Sequence, residues 1–209
     1  MIIDYSLYLI ADSTRTPIQL LLPIVEEALT GGVTIVQYRD KISSDHDFKN
    51  SAKKVLAICR RAGIPMIVND RIGIAMEIDA DGVHLGQTDQ HSAEVRSQLG
   101  SGKIVGMSAH TLAEAYQAEE EAFNYLGCGS VFPTTTKHDI RGILGIDGLE
   151  RIAKSVNIPV VAIGGINTTN VVKLRDTGIA GIAVVSAILQ ARNPGRTAGE
   201  LKDLLKRRA

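Results

Sequence analysis

Short apolar, β-branched runs recur along the chain at positions 7–11, 34–38, 66–68, 82–85, 104–107, 125–131, 160–163 and 182–185. Each closes on polar or glycine residues. Most are followed by stretches of helical period, the clearest at 18–29, 48–62, 112–123 and 169–177. Gly31, Gly32, Gly63 and Gly178 stand where helix C-termini need stops. Runs that are apolar on both faces, with helices between them, predict a buried parallel sheet.

Eight such units can close into a barrel or lie in an open, doubly wound sheet. The open sheet usually carries a glycine-rich turn after its first strand, and Leu9-Ile10-Ala11-Asp12 runs into Ser13-Thr14-Arg15 without one. Glycines gather instead after the seventh run, at Gly164 and Gly165, near where barrels commonly bind phosphate. The prediction is an α/β chain folded as a single (β/α)8 TIM barrel over residues 1–209. The longest irregular piece, 133–145, has the length at which a loop usually serves function and is expected to act as a lid.

Barrel active sites gather at the C-terminal strand ends. The second run ends in Gln37-Tyr38-Arg39-Asp40-Lys41, the third in Asn69-Asp70-Arg71 and the fourth in Gly86-Gln87-Thr88-Asp89. Ser108-Ala109-His110 closes the fifth, and Thr134-Thr135-Thr136-Lys137 follows the sixth. Gly164-Gly165 and Val185-Ser186 close the last two. Arg39 and Lys41, two apart on extended chain, project to one side. A guanidinium fork and a compact ammonium both suit phosphate oxygens. Asp70 and Asp89 end successive strands, and two carboxylates facing cations suit Mg²⁺ shared with a diphosphate. Gly164-Gly165 with Val185-Ser186 suggests a second anion site. Taken singly, Arg39 to Lys41 reads as a solvated charge run, Asp70 as a helix cap, and His84 as a core residue. Joint occurrence at successive strand ends favours chemistry.

Charge and composition narrow the partners. The 23 basic and 23 acidic residues cancel, so no overall field draws nucleic acid or an anionic membrane. No run reaches membrane-spanning length, and the N-terminus lacks a signal-peptide pattern, so a cytoplasmic protein acting on small molecules is expected. Oligomeric state is not readable. Cys59 and Cys128 match no metal or redox spacing and are expected to be buried thiols. No nucleophilic triad or zinc spacing is assembled.

In these segments the chain resembles the thiamine phosphate synthase family. The likeness continues through Asp81-Gly82-Val83-His84-Leu85-Gly86-Gln87, Gly106-Met107-Ser108-Ala109-His110, Val131-Phe132-Pro133-Thr134-Thr135-Thr136-Lys137, Val161-Ala162-Ile163-Gly164-Gly165-Ile166 and Ala183-Val184-Val185-Ser186-Ala187-Ile188. The resemblance implies a Mg²⁺-dependent transferase. It would join 4-amino-2-methyl-5-hydroxymethylpyrimidine diphosphate to a thiazole phosphate through a pyrimidine carbocation, releasing diphosphate. By that match the segment Gln37, Tyr38, Arg39, Asp40, Lys41, with Asn69, Ser108 and Lys137, binds the pyrimidine diphosphate. Arg39, Lys41, Ser108 and Lys137 carry the catalytic roles, and Asp70 and Asp89 ligate Mg²⁺. Thr134, Thr135, Thr136, Gly165, Val185 and Ser186 bind the thiazole phosphate. The chain departs from the family pattern at Tyr38, at Gly129-Ser130 and across 138–144. The competing readings are a thiazole tautomerase of the same barrel type and a non-catalytic phosphate-ligand sensor. The retained cations and carboxylates speak against both.

Overall fold

A computed structural model describes residues 3–89, 92–136 and 142–206. Eight parallel strands close a barrel in sequence order. They are β1 (Leu7–Asp12), β2 (Ile35–Arg39), β3 (Met66–Asn69), β4 (Gly82–Leu85), β5 (Ile104–Ala109), β6 (Tyr125–Cys128), β7 (Val160–Ile163) and β8 (Gly181–Val184). The barrel prediction therefore holds, and β8 pairs back onto β1 from Leu7 opposite Ile182. The helices are α1 (Ile18–Thr30), α2 (Asp45–Ala62), α3 (Ile72–Glu77), α4 (Ser92–Leu99), α5 (Leu112–Glu120), α6 (Gly145–Ser155), α7 (Ser186–Leu189) and α8 (Pro194–Lys206). Among the described residues, no helix is long and apolar enough to cross a membrane.

Strand alternation divides the core in two. Leu7, Leu9, Val36, Val68, Val83 and Val105 face outward into the layer packed against the helices. Tyr8, Ile10, Ile35, Ile67, Tyr125 and Val161 fill the barrel interior as a second, smaller cluster. Bulky inward residues at this level fill the barrel below the C-terminal strand ends.

Local signals explain the helix ends. Ser44 caps α2 by accepting a hydrogen bond from the Asp47 N–H, and left-handed Gly63 (φ 68°) stops it. Thr111 and Glu114 form a reciprocal capping box at the start of α5. Two predicted elements differ. The 169–177 stretch forms only a 3₁₀ turn at Val171–Leu174. Its polar side chains bind the local backbone instead: Asn167 Oδ1 accepts from the Thr169 N–H, and Asn170 Oδ1 accepts from the Asn167 N–H. The sixth strand ends at Cys128 rather than 131. Beyond it the chain tracks the end of β7, where Val131 N–H donates to Ile163 O and Phe132 N–H to Gly164 O, each at 3.0 Å.

Candidate active site

The strands' C-terminal ends enclose a cavity of about 340 Å³. Its polar wall begins on β2, where the two-residue period aims Gln37, Arg39 and Lys41 into the cavity. Arg39 donates to the carboxylate of Asp12, the last residue of β1. That aspartate is almost wholly buried, with 2% of its side chain exposed against 16% for Arg39. Its other oxygen accepts from the Thr14 N–H and hydroxyl, so Asp12 fixes both the β1 loop and the guanidinium.

The same period sends Tyr38 and Asp40 away from the cavity, which corrects the expectation that both contact substrate. Tyr38 is fully buried, edge-on to Phe48 with ring centroids 4.8 Å apart, and its hydroxyl bonds Ser13. Asp40 gathers the loop after β2 by accepting from the Ser13 and Ser43 hydroxyls and from the Ile42 and Ser43 N–H groups. Burial alone would raise its carboxyl, but these hydrogen bonds outweigh it and hold Asp40 at about 2. Arg71 braces the same loop from outside. It donates to Ser43 O and Asp45, each at 2.7 Å, with its guanidinium 4.4 Å from the Phe48 ring centroid.

Asp70 follows β3 in a left-handed conformation (φ 59°), which aspartate tolerates better than most side chains. Its N–H donates to His84 O, and its carboxylate pairs with Lys41. Asp89 follows β4 and closes a tight turn in which its carboxylate accepts from the Gly86 N–H at 2.6 Å. Both carboxylates line the one cavity with Arg39, Lys41 and Asn69. Among the described residues no group of three or more His, Cys, Asp or Glu side chains gathers as a metal cage. A pair of carboxylates beside cations fits a hard cation that takes its remaining ligands from phosphate oxygens and water.

Ser108 and His110 come from the end of β5 and also line the cavity. On the far side stand Thr134, Thr136, Gly165, Val185 and Ser186. Thr136 and Ser186 hydroxyls approach to 3.4 Å, which joins the segment after β6 to the end of β8. Gly164 and Gly165 take φ of 102° and 67°, and a Cβ on Gly164 would stand 2.2 Å from the Ser130 hydroxyl. No other residue type fits that turn. Asn170 secures it by donating to Gly165 O at 2.8 Å.

Thr135 does not line the cavity, a second correction. It is exposed, and its carbonyl accepts from Arg15 at 3.0 Å, because the chain turns its side chain outward between Thr134 and Thr136. Lys137, and residues 138–141 of the loop expected to act as a lid, lie outside the described residues. Cys59 and Cys128 are buried apart from the site, and burial pushes both thiols up to about 12.

The sequence reading missed Asp12, Tyr8 and Tyr125 and took His84 for a core residue, yet all four line the cavity. Asp12 was findable, since it closes β1 as the other site residues close their strands. The two tyrosines are betrayed only by sitting at inward positions of their strands.

A family model described as thiamine monophosphate synthase matches residues 7–188. A thiamine-phosphate synthase of Clostridium botulinum (strain Hall) is 50% identical over 189 residues, covering 90% of this chain and 92% of its own. One from Methanobrevibacter smithii is 47% identical over 192 residues, 92% of this chain and 91% of its own. Among solved structures, a thiamine phosphate pyrophosphorylase from Pyrococcus furiosus superposes with a TM-score of 0.86. It is 36% identical and covers 97% of this chain and 96% of its own.

Proposed function

The chain belongs to the thiamine monophosphate synthase family, and on that premise we propose that its cavity joins a pyrimidine methyl diphosphate to a thiazole phosphate, releasing diphosphate and thiamine phosphate. One observation carries the reading: Arg39, Lys41, Asp70 and Asp89, from the ends of β2, β3 and β4, line one cavity together with Ser108.

The bond that breaks joins the pyrimidine's methylene carbon to a diphosphate oxygen, which leaves with the electron pair. The thiazole ring nitrogen then supplies the pair that forms the new C–N bond. No strong base is needed, because the difficulty lies in the charge gathering on the departing group. Fixed charges aimed at that group lower the barrier. Arg39, already oriented by Asp12, grips diphosphate oxygens. Lys41 exchanges the Asp70 carboxylate for a diphosphate oxygen, and Ser108 and Asn69 add neutral donors. Asp70 and Asp89 would hold Mg²⁺, which supplies Lewis-acid stabilisation of the leaving diphosphate. Across the cavity, Thr134, Thr136, Gly165, Val185 and Ser186 hold the thiazole phosphate so that its ring faces the methylene carbon. The enzyme is placed in the cytoplasm as part of the same reading.

Mixing the protein with both phosphorylated substrates and Mg²⁺ tests it. Thiamine phosphate and diphosphate in equal amounts, neither forming when one substrate is left out, is the expected outcome. Isomerisation of the thiazole alone, or ligand binding without turnover, would contradict it.

A further inference from the structure

Five polar side chains cross the barrel floor in an unbroken line. Gln37 Nε2 donates to the Tyr8 hydroxyl at 2.9 Å. The Tyr8 and Tyr125 hydroxyls are 2.8 Å apart. Tyr125 lies 2.9 Å from His84 Nδ1, and His84 Nε2 lies 3.0 Å from the Ser108 hydroxyl. The ends of the line, Gln37 and Ser108, stand on β2 and β5, and its middle comes from β1, β6 and β4. Room for it is built into the strands. A Cβ on Gly106 would stand 2.2 Å from the Tyr125 ring, and one on Gly127 would stand 3.1 Å from the His84 ring.

Counting protons gives the line a direction. Each of its four links needs one hydrogen. Tyr8, Tyr125 and Ser108 hold one each, His84 holds one when its imidazole is neutral, and the Gln37 amide holds two. Burial drives both phenols above their ordinary value, so neither surrenders its proton. With Gln37 donating, Tyr8 passes its proton to Tyr125, Tyr125 passes its own to His84 Nδ1, and His84 donates from Nε2 to Ser108. The Ser108 proton is then surplus and turns to the cavity. In the opposite direction Ser108 spends its proton on His84 and shows only lone pairs to an anion.

We propose that Tyr8, Tyr125 and His84 are positioning residues, a hydrogen-bond chain that holds His84 as its Nε2–H tautomer and so commits the Ser108 hydroxyl to donate into the diphosphate subsite. This rests on the reading of that subsite given above. The chain also ties its two ends together: the Gln37 amide and the Ser108 hydroxyl, both on the cavity wall, take complementary hydrogen-bonding roles.

Imidazole ¹⁵N shifts read the tautomer directly in the wild type, free and with Mg²⁺ and inorganic diphosphate, His84 being assigned from the spectrum of His84→Gln. A bare Nδ1 and a protonated Nε2 are expected in both states; a proton on Nδ1 overturns the proposal. Kinetics supply the second arm. Tyr125→Phe removes one hydroxyl and keeps the ring, and is expected to lower kcat by about tenfold with little change in KM, the scale of one hydrogen bond. In a Ser108→Ala background the same substitution is expected to cost less than about twofold, because Tyr125 acts through Ser108. Equal losses in both backgrounds would mean that Tyr125 only supports the fold, and would sink the chain. The tautomer is measured whether or not the wild type turns over, so failure of the proposed reaction and failure of this chain are told apart.

Discussion

Asp12→Asn is the most informative single change, because it alters the setting of Arg39 while leaving Arg39 itself in place. In the wild type one carboxylate oxygen of Asp12 takes Arg39 and the other takes the Thr14 N–H and hydroxyl. Asparagine is nearly the same size and its carbonyl still serves Thr14. What goes is a charge-assisted hydrogen bond in a place where only 2% of the acidic side chain is exposed. Such a bond is worth about 1.5–3 kcal/mol, below the cost of removing a partner outright because Arg39 keeps partial access to water. For a chain of this size that lowers Tm by roughly 3–12 °C. The kinetic effect is larger in proportion. A guanidinium free to move by about an ångström forfeits on the order of 10²-fold in rate. Calorimetry and steady-state kinetics on the same preparation separate the two effects, and the expected result is a modest Tm loss with a large fall in kcat. A lower Tm with unchanged kcat would show that Asp12 serves only the β1 loop. A lower KM with unchanged kcat would show that it merely competes with substrate for Arg39.

Two further outcomes follow from buried titrating groups. Asp40 is held at about 2 against an ordinary value near 3.8, so its hydrogen bonds stabilise the fold fully above about pH 4 and the benefit disappears as pH falls towards 2. Urea titrations of wild type and Asp40→Asn are expected to differ most at neutral pH and to converge between pH 4 and 2; a constant gap would refute the assignment. Burial holds the Cys59 and Cys128 thiols near 12, so neither is expected to react with a disulfide reagent at pH 8 until the protein unfolds. Release of a full equivalent of thiol from native protein would contradict that.

The barrel was legible because eight apolar runs at intervals, with a glycine pair after the seventh, leave few other topologies. Helix ends were legible where a glycine supplies the stop, as at Gly63, whereas the helical period at 48–62 did not show the earlier start that the Ser44 cap sets at Asp45. The 169–177 stretch misled because its apolar spacing is helical while Asn167, Thr169 and Asn170 bind their own backbone. At the site, the alternation that groups Gln37, Arg39 and Lys41 also turns Tyr38 and Asp40 the other way. Treating the segment as one block hid this. Tyr8, Tyr125 and His84 escaped notice because hydroxyls and imidazole at buried strand positions look like core until their partners, 117 and 41 residues apart in sequence, are seen together.

Binding of inorganic diphosphate, measured by calorimetry with and without Mg²⁺ on wild type, Asp70→Asn and Asp89→Asn, bears most directly on a shared metal–diphosphate site. The expected result is that Mg²⁺ tightens diphosphate binding by tenfold or more in the wild type and not in either variant, each unit of tenfold being about 1.4 kcal/mol of coupling. Diphosphate affinity indifferent to Mg²⁺ in the wild type, or equally enhanced in both variants, would contradict the account.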